Sequence, residues 1–260
     1  MTYCNIFDSH AHYDDPAFDD DREELLGRIL PEAGVCTVVN CGADLPSSEA
    51  SIALAAKIGY IYAAVGIHPE CVKDAPEDFI GRLESLLGAP KVVAVGEIGL
   101  DFHFEENAPR DVQIAAFERQ VELANAHHLP VIIHDRDAHG DTLEVLKHLK
   151  PAGVVHCFSG SVETAREILK LGMYIGLGGA VTFKNAKTSV EVAKMVPADR
   201  LLMETDCPYM TPVPFRGQRN DSSRIAYSAE KIAEIRGEEV QALLDRTRKN
   251  AETLFRIQQA

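Results

Sequence analysis

The sequence lacks long apolar runs, paired cysteines and a basic leader. No hydrophobic stretch approaches the roughly 20 residues that a membrane span needs. The first eight residues contain no basic segment followed by an apolar core, which is the pattern of a signal peptide. We therefore expect a cytoplasmic protein without membrane contact. The six cysteines include no CxxC pair, so buried free thiols are expected rather than a disulfide framework.

Basic residues are also few. The 26 Lys and Arg against 40 Asp and Glu leave a formal net charge of −14 over 260 residues. This balance argues against a protein that coats nucleic acid non-specifically, because that mode of binding needs many cations on phosphates. It does not exclude an enzyme that handles phosphates through metal ions. With 46% hydrophobic residues and no repeat or linker, the chain is predicted to be one globular domain over 1–260.

Eight short β-rich runs alternate with helical patterns along the chain. The predicted strands are Tyr3–Asp8, Val35–Cys41, Tyr60–Ile67, Val92–Gly96, Pro130–His134, Gly153–Phe158, Met173–Leu177 and Leu201–Glu204. The clearest helical patterns are Arg110–His128, Val162–Leu171, Arg224–Arg236 and Glu238–Phe255. Continuous apolar runs are typical of parallel strands covered on both faces, so we predict an α/β protein with a (β/α)₈ TIM barrel. A doubly wound open sheet is the alternative, but the first turn lacks its GxGxxG fingerprint.

Histidines and acidic residues recur where the predicted strands end. In chain order they are His10, His12, His68, Glu97, His134, His156, Glu204 and Asp206. The carboxyl ends of barrel strands converge on one rim, so these side chains are expected to share one pocket. His10 and His12 lie two residues apart, which points both imidazoles to the same face of a strand. Burying such a set without a metal would leave costly unpaired polar groups, so the pattern predicts a metal centre.

The number of donors favours two divalent ions. One tetrahedral ion cannot use all of them, whereas a carboxylate can bridge two ions about 3.5–4 Å apart, and Glu97 is the natural bridge. One predicted site consists of His10, His12, Glu97 and Asp206, and the other of Glu97, His134 and His156. Mixed nitrogen and oxygen ligands suit zinc, manganese or magnesium.

Six ordered motifs carry a resemblance to a known family. They are Asp8-Ser9-His10-Ala11-His12, Gly66-Ile67-His68-Pro69, Gly96-Glu97-Ile98-Gly99-Leu100-Asp101, His134-Asp135-Arg136-Asp137-Ala138, His156-Cys157-Phe158-Ser159-Gly160 and Glu204-Thr205-Asp206-Cys207-Pro208-Tyr209. Together they resemble the TatD family of metal-dependent hydrolases, described mainly as deoxyribonucleases. The resemblance implies that the family's metal ligands match His10, His12, Glu97, His134, His156 and Asp206.

The catalytic residues are expected around these ligands. Asp206 is predicted to position the attacking water and accept its proton, and the resemblance suggests that His68 contacts substrate phosphate. Glu204 either orients a ligand or the water, or pairs with a neighbouring Arg or Lys. Asp8 either hydrogen-bonds a ligand histidine or has a purely structural role. Asp101 is expected in the loop that follows the fourth strand.

Three arginines are candidate substrate-binding residues. Arg136 belongs to the motif after the fifth strand, and Arg216 and Arg219 lie in the Pro- and Gly-rich loop 211–220. The planar guanidinium fork matches phosphate oxygens. Arg216 and Arg219, with the nearby Arg224, Lys184 and Lys187, are expected to provide a local positive patch; a solvated loop is the alternative. The sequence departs from the family pattern at 220–222, where Asn-Asp-Ser replaces Asn-Glu-Pro.

The predicted activity is phosphodiester hydrolysis of DNA ends or short single strands, with no obligate protein partner. A hydrolase of a carbon–nitrogen, ester or lactone bond is the nearest alternative. Many related barrels bridge their metals with a carboxylated Lys, whereas the fourth strand here supplies Glu97. A non-catalytic metal-binding protein is the third possibility. Two divalent ions add four positive charges to the pocket, so the overall charge of −14 is compatible with a phosphate substrate.

Overall fold

The predicted apolar runs form the strands of a parallel barrel. The computed structural model describes residues 3–257. Within that range the strands are β1 (Ile6–Ala11), β2 (Val35–Cys41), β3 (Ile61–Val65), β4 (Val92–Asp101), β5 (Val131–Arg136), β6 (Gly153–Val155), β7 (Tyr174–Leu177) and β8 (Leu201–Met203). The α-helical segments are α1 (Arg22–Glu24), α2 (Leu30–Glu32), α3 (Leu45–Lys57), α4 (Phe79–Leu87), α5 (Arg110–Ala126), α6 (His139–Leu149), α7 (Val162–Lys170), α8 (Lys187–Met195), α9 (Ile225–Arg236) and α10 (Val240–Phe255). A π-helical turn, Leu25–Ile29, joins α1 to α2.

The strands follow one another around the sheet in chain order, β1 to β8, and every neighbouring pair is parallel. The sheet closes between its first and last strands. The backbone N–H of His12 donates to the carbonyl of Cys207 at 2.9 Å, and Asp206 N–H donates to the carbonyl of His10 at 3.0 Å. The prediction of a (β/α)₈ barrel is confirmed, and the closing contacts involve the same residues that were predicted to bind metal.

Two strand boundaries differ from the prediction in ways that affect the site. Strand β1 lies at Ile6–Ala11 rather than Tyr3–Asp8, so His10 is part of the strand. Strand β4 continues to Asp101, five residues beyond its predicted end at Gly96. The continuation depends on Gly99, whose φ is +140°, because a Cβ there would lie 2.0 Å from the carbonyl oxygen of His134. The prediction that Asp101 lies in a loop is therefore wrong: it is a buried strand residue.

One hydrophobic cluster takes residues from all eight strands and therefore fills the barrel. Its strand members are Phe7, Val39, Cys41, Ala64, Val93, Ala94, Ile132, Val154, Tyr174 and Leu202. The end of helix α10 completes the cluster, and the ring of Phe255 stacks on that of Phe7 with centroids 6.2 Å apart. Phe7 lies near the start of β1, so α10 closes the amino end of the barrel. The opposite, carboxyl-terminal rim carries the polar residues of the site.

The helices form the outer layer and are bounded by the expected capping residues. Ser161 caps α7 by accepting a hydrogen bond from the backbone N–H of Thr164. Gly172 follows α7 with a φ of +81°, and Gly237 ends α9 with a φ of +66°, a left-handed conformation that glycine adopts readily at helix ends. Over residues 3–257, no helix combines the length and apolar character that crossing a bilayer requires.

Candidate metal centre

The six predicted metal ligands meet at the carboxyl-terminal rim of the barrel. His10 lies near the end of β1, Glu97 lies within β4 and His134 lies within β5. His12, His156 and Asp206 follow the ends of β1, β6 and β8. Their donor atoms form overlapping groups in which all atoms lie within 4.8 Å of one another, close enough for each group to hold an ion.

Glu97 lies at the centre of the cluster, and its two carboxylate oxygens face different histidines. Its Oε2 is 3.2 Å from His10 Nε2 and 3.4 Å from His12 Nε2. Its Oε1 is 2.7 Å from His156 Nε2 and 3.0 Å from His134 Nδ1. Each oxygen therefore belongs to a separate set of nitrogen donors, which is the arrangement that a carboxylate bridging two ions requires.

Asp206 and His68 complete the two sides of the cluster. Asp206 Oδ1 lies 3.6 Å from His10 Nε2 and 3.5 Å from His12 Nε2, on the Oε2 side of Glu97. The φ of Asp206 is +59°, a left-handed conformation that non-glycine residues adopt mainly at turns and functional sites. His68 Nε2 lies 3.4 Å from Glu97 Oε1, on the other side. His68 Nε2 thus lies on the same side of Glu97 as His134 and His156.

Several ligand histidines are oriented by a contact at their second ring nitrogen. Nδ1 of His12 lies 2.8 Å from the carbonyl oxygen of Cys41. Nε2 of His134 lies 3.0 Å from Oδ2 of Asp101, which only accepts, so this nitrogen carries a proton. Burial lowers the pKa of His134, but hydrogen bonds to Asp101 and Glu97 outweigh burial and raise it to about 10. Carboxylate–histidine pairs of this kind fix the ligand's ring and increase its basicity.

The carboxylates of the cluster are ionised, whereas its histidines differ in their protonation. Burial raises the pKa of Glu97, but the charge of His156 and other imidazoles outweighs burial and holds that pKa well below its usual range. Burial likewise raises the pKa of Asp206, and the hydrogen bond from His12 reverses the shift and lowers it. At His10 burial dominates and lowers the pKa to about 4, so this imidazole is neutral near pH 7. At His12, His134 and His156 neighbouring carboxylates instead outweigh burial and raise the pKa, so a metal ion binds to these three imidazoles in competition with protons.

Glu204 lies beneath the cluster and is almost fully buried. Its Oε1 accepts a hydrogen bond from the backbone N–H of Cys157, the residue after His156, and its Oε2 has no partner. Burial raises the pKa of Glu204 to about 8. In the described part of the chain no Arg or Lys forms an ion pair with Glu204. Of the two roles expected for this residue, the structure therefore favours that of an orienting group. Gly176 makes room for it, because a Cβ there would lie 2.3 Å from Oε2.

Asp8 connects the first strand to the segment that follows the last one. Its carboxylate accepts hydrogen bonds from the backbone N–H of His10 at 3.2 Å and from the hydroxyl groups of Thr205 and Ser222, both at 2.6 Å. It therefore binds the backbone of a ligand histidine rather than its ring. Ser222 stands where the family pattern has Pro, and Asp221 caps the short turn that follows by accepting from the backbone N–H of Ser223 at 2.9 Å.

A cavity of about 810 Å³ opens above the metal ligands. Its lining residues are His12, Asp14, Asp15, Pro16, Ala43, His68, Glu70, Glu97, Phe104, His134, Asp135, Arg136, His156, Cys157, Ser159, Asp206, Tyr209 and Met210. Of the three predicted substrate-binding arginines, Arg136 lies on this wall, with its guanidinium 4.7 Å from the ring centroid of Phe104. The wall thus combines ligand residues, acidic residues and two aromatic rings.

The structure does not bring Arg216 and Arg219 to the cavity wall. Arg219 forms a two-point ion pair with Asp21, with distances of 2.7 and 2.6 Å, and stacks on the ring of Phe18. Arg216 donates a hydrogen bond to the carbonyl of Thr211 at 3.1 Å, and its guanidinium lies over the ring of Phe183. Both guanidinium groups are thus engaged by other residues of the protein. Substrate contact by Arg216 and Arg219 stays a prediction.

Sequence reasoning missed two features of the site. The sequence predicts a loop at Asp101, although this residue lies four positions after Glu97 on what becomes one strand. The sequence prediction gives Tyr209 no role of its own and does not indicate the aromatic character of the cavity wall. The signal available for Tyr209 was its position three residues after Asp206 in the rim segment that follows β8.

The chain is similar to known proteins over almost its whole length. The family model described as TatD related DNase matches residues 7–256. The protein named uncharacterized metal-dependent hydrolase YabD, from Bacillus subtilis (strain 168), is 43% identical over 255 residues, covering 97% of this chain and 99% of its own. The 3′-5′ ssDNA/RNA exonuclease TatD of Cronobacter sakazakii is 34% identical and covers 96% of this chain and 97% of its own. The crystal structure of the TatD homologue YjjV from Escherichia coli K12 superposes with a TM-score of 0.92 at 33% identity, over 98% of this chain and 99% of that one.

Proposed function

Because this chain belongs to the TatD family of metal-dependent hydrolases, we propose that it removes nucleotides from the 3′ ends of single-stranded DNA or RNA. The observation that carries the proposal is the position of Glu97, whose two oxygens face two separate sets of histidines below an open cavity. Two-ion centres of this type serve in-line displacement at phosphate esters. The name of the Cronobacter sakazakii relative supports the choice of substrate and polarity.

The donor set fits two divalent ions. His10, His12 and Asp206 lie around one Glu97 oxygen, and His134 and His156 lie around the other. These nitrogen and oxygen donors suit zinc or manganese, and magnesium with fewer protein ligands. When bound, such ions supply Lewis-acid activation of water and of the phosphoryl oxygen.

Asp206 is the proposed general base. Its side chain lies on the cavity wall, is 18% exposed, and is ionised because hydrogen bonding from His12 lowers its pKa. In this position the carboxylate orients the attacking water and accepts its proton. Glu204 acts one step further away: by accepting from the N–H of Cys157 it holds the backbone that carries His156. Glu204 is therefore a positioning residue.

His68 and Arg136 are the proposed phosphate-binding residues of the cavity wall. Nδ1 of His68 accepts a hydrogen bond from the backbone N–H of Glu70 at 3.2 Å, which places a proton on Nε2. Nε2 faces the centre of the site beside Glu97 and can donate to a phosphate oxygen. Arg136 is exposed at the cavity wall and offers a planar fork to the same group. These donors offset the charge that develops on the phosphoryl oxygens.

The test uses the full chain loaded with Mn²⁺ or Zn²⁺ and short single strands labelled at either end. We expect stepwise loss of nucleotides from the 3′ end and none after treatment with EDTA. Asp206→Asn should lower the rate by about 10²- to 10⁴-fold, because the proton acceptor is lost. Asp199→Asn, at an exposed carboxylate outside the cavity lining, is the matched control and should keep the wild-type rate.

Other outcomes would contradict the proposal in different ways. Full activity after chelation would contradict the need for metal ions. A wild-type rate in Asp206→Asn would contradict the role of Asp206 as general base. Turnover of amide, ester or lactone substrates without any release of nucleotides would favour the alternative hydrolase. Ion binding without turnover of either class would indicate a non-catalytic metal protein.

A further inference from the structure

Tyr209 is an exposed aromatic residue at the cavity. Within residues 3–257 the exposed large hydrophobic side chains are Val112, Tyr209, Val213 and Tyr227. Tyr209 is the most exposed of them, at 57%, and the only one that also lines the cavity. Single exposed apolar side chains are common on protein surfaces, so what distinguishes Tyr209 is its place in the cavity wall beside the candidate metal ligands.

The structure holds Tyr209 firmly. Its backbone N–H donates to the carbonyl of Asp206 at 2.8 Å, and its own carbonyl accepts from Asn220 Nδ2 at 2.7 Å. Its hydroxyl donates to Asp15 Oδ2 at 3.0 Å, while Asp15 Oδ1 is held by the backbone N–H of Ala17 at 2.7 Å. Both ends of the side chain are therefore fixed, and a planar ligand meets a ring that loses little conformational freedom on binding.

The surroundings of the ring select the kind of group that it can contact. Asp14, Asp15 and Glu70 line the same cavity, so a second phosphate or a carboxylate beside the ring would be repelled. Pro16 and the ring itself offer apolar surface. An uncharged, flat group fits this position, and in a nucleotide that group is the base.

We propose that the ring of Tyr209 stacks on the base of the terminal nucleotide whose phosphodiester bond is cleaved. The inference rests on the proposed nuclease function and extends it to the binding of the departing nucleotide. Tyr209 and Asp206 line the same cavity and are joined by a backbone hydrogen bond, which places the aromatic residue next in the cavity wall to the proposed general base. Because every base has a π-face, recognition of this kind does not depend on sequence, but it does require a base.

The experiment compares two substrates with four proteins. The substrates are a short single strand with an intact 3′ nucleotide and the same strand with a 3′-terminal abasic tetrahydrofuran residue. The proteins are the wild type, Tyr209→Ala, Tyr209→Phe and Tyr227→Ala, all loaded with Mn²⁺. Tyr227 is 38% exposed and lies on α9 outside the cavity lining, so its substitution is the control for loss of a surface ring.

We expect Tyr209→Ala to raise KM for the intact strand by about 5- to 150-fold, with little change in kcat, because stacking stabilises ground and transition states alike. The same substitution should leave the abasic strand unaffected. Tyr209→Phe keeps the ring but loses the hydrogen bond to Asp15, so it should raise KM far less than Tyr209→Ala does. Tyr227→Ala should stay near the wild type. An equal loss on both strands, or no loss on either, would overturn the stacking role.

A binding measurement separates stacking from catalysis. In an Asp206→Asn background, the fluorescence of 2-aminopurine at the 3′ end should fall on binding and should fall much less when Tyr209→Ala is added. Equal quenching with and without the ring would contradict the proposal. If the wild type binds the strand and quenches the probe but releases no nucleotide, the proposed nuclease function fails while base stacking stands. If the wild type neither binds nor cleaves either strand, both fail.

Discussion

At the scale of single residues, the site depends on carboxylates that the barrel places next to imidazoles. The clustering of the candidate ligands could be predicted because each lies near the end of an apolar run, and the strand ends of a barrel share one rim. Asp101 could not be predicted in this way. Its role arises from the pairing of β4 with β5, where Gly99 lies opposite His134 and lets the two backbones approach. A glycine-rich stretch indicates a turn in a sequence, whereas here it is a site of close strand contact.

Replacing Asp101 with Asn should weaken metal binding without unfolding the chain. The amide keeps an oxygen that accepts from Nε2 of His134 but removes the negative charge that makes this imidazole more basic. Loss of such supporting carboxylates lowers metal affinity by about 10- to 100-fold. Titration of the metal-free protein with Zn²⁺ in competition with a chelating dye measures the change. Asp199→Asn is the control, and unchanged affinity in Asp101→Asn would show that the His134 contact does not support the site.

At the scale of elements, the alternation of strands and helices could be predicted more accurately than their ends. The second strand and the start of α5 lie at their predicted positions. The first strand continues past its predicted end at Asp8 to Ala11, and its pairing with β2 contains a register shift between Asp8 and Ala11. Hydrophobicity alone ends a strand where polar residues begin. In this barrel the polar residues are at strand positions because the site is built there.

Helix α10 is predicted to stabilise the whole barrel through Phe255. This ring is almost fully buried against Phe7 in the cluster that reaches every strand. Phe255→Ala should therefore lower the free energy of unfolding by about 3–5 kcal/mol, the usual cost of removing a buried aromatic ring. Val112→Ala, at an exposed helix position, should change it by less than about 0.5 kcal/mol. Urea denaturation measures both changes. A decrease of less than about 1 kcal/mol in the free energy of unfolding for Phe255→Ala would contradict the stabilising role of α10 at the amino end of the barrel.

At the scale of the whole molecule, the charge of −14 and the acidic cavity wall both disfavour extended contact with a long polyanion. Much of the cavity wall is neutral or acidic, and Arg136 is its one arginine or lysine among the described residues. The other arginines that the sequence suggested for substrate binding are engaged elsewhere, as the ion pair between Arg219 and Asp21 illustrates. That pairing depends on the conformation of loop 211–220, which no local pattern determines. A long polyanion therefore finds few cations to neutralise its phosphates away from the metal centre.

Binding of single strands should consequently depend only weakly on salt. On a single strand the logarithm of affinity falls by about 0.7 per decade of salt for each neutralised phosphate. If one or two phosphates are neutralised, one of them by Arg136, the slope should lie between about −0.7 and −1.4. The slope is measured as binding of a single strand to the Asp206→Asn variant at increasing KCl concentration. Arg136→Gln should flatten the slope by about 0.7, while Arg200→Gln, outside the cavity lining, should leave it unchanged. A slope steeper than about −3 would mean that the strand contacts several cations, and the acidic surface would then not limit binding to the strand end.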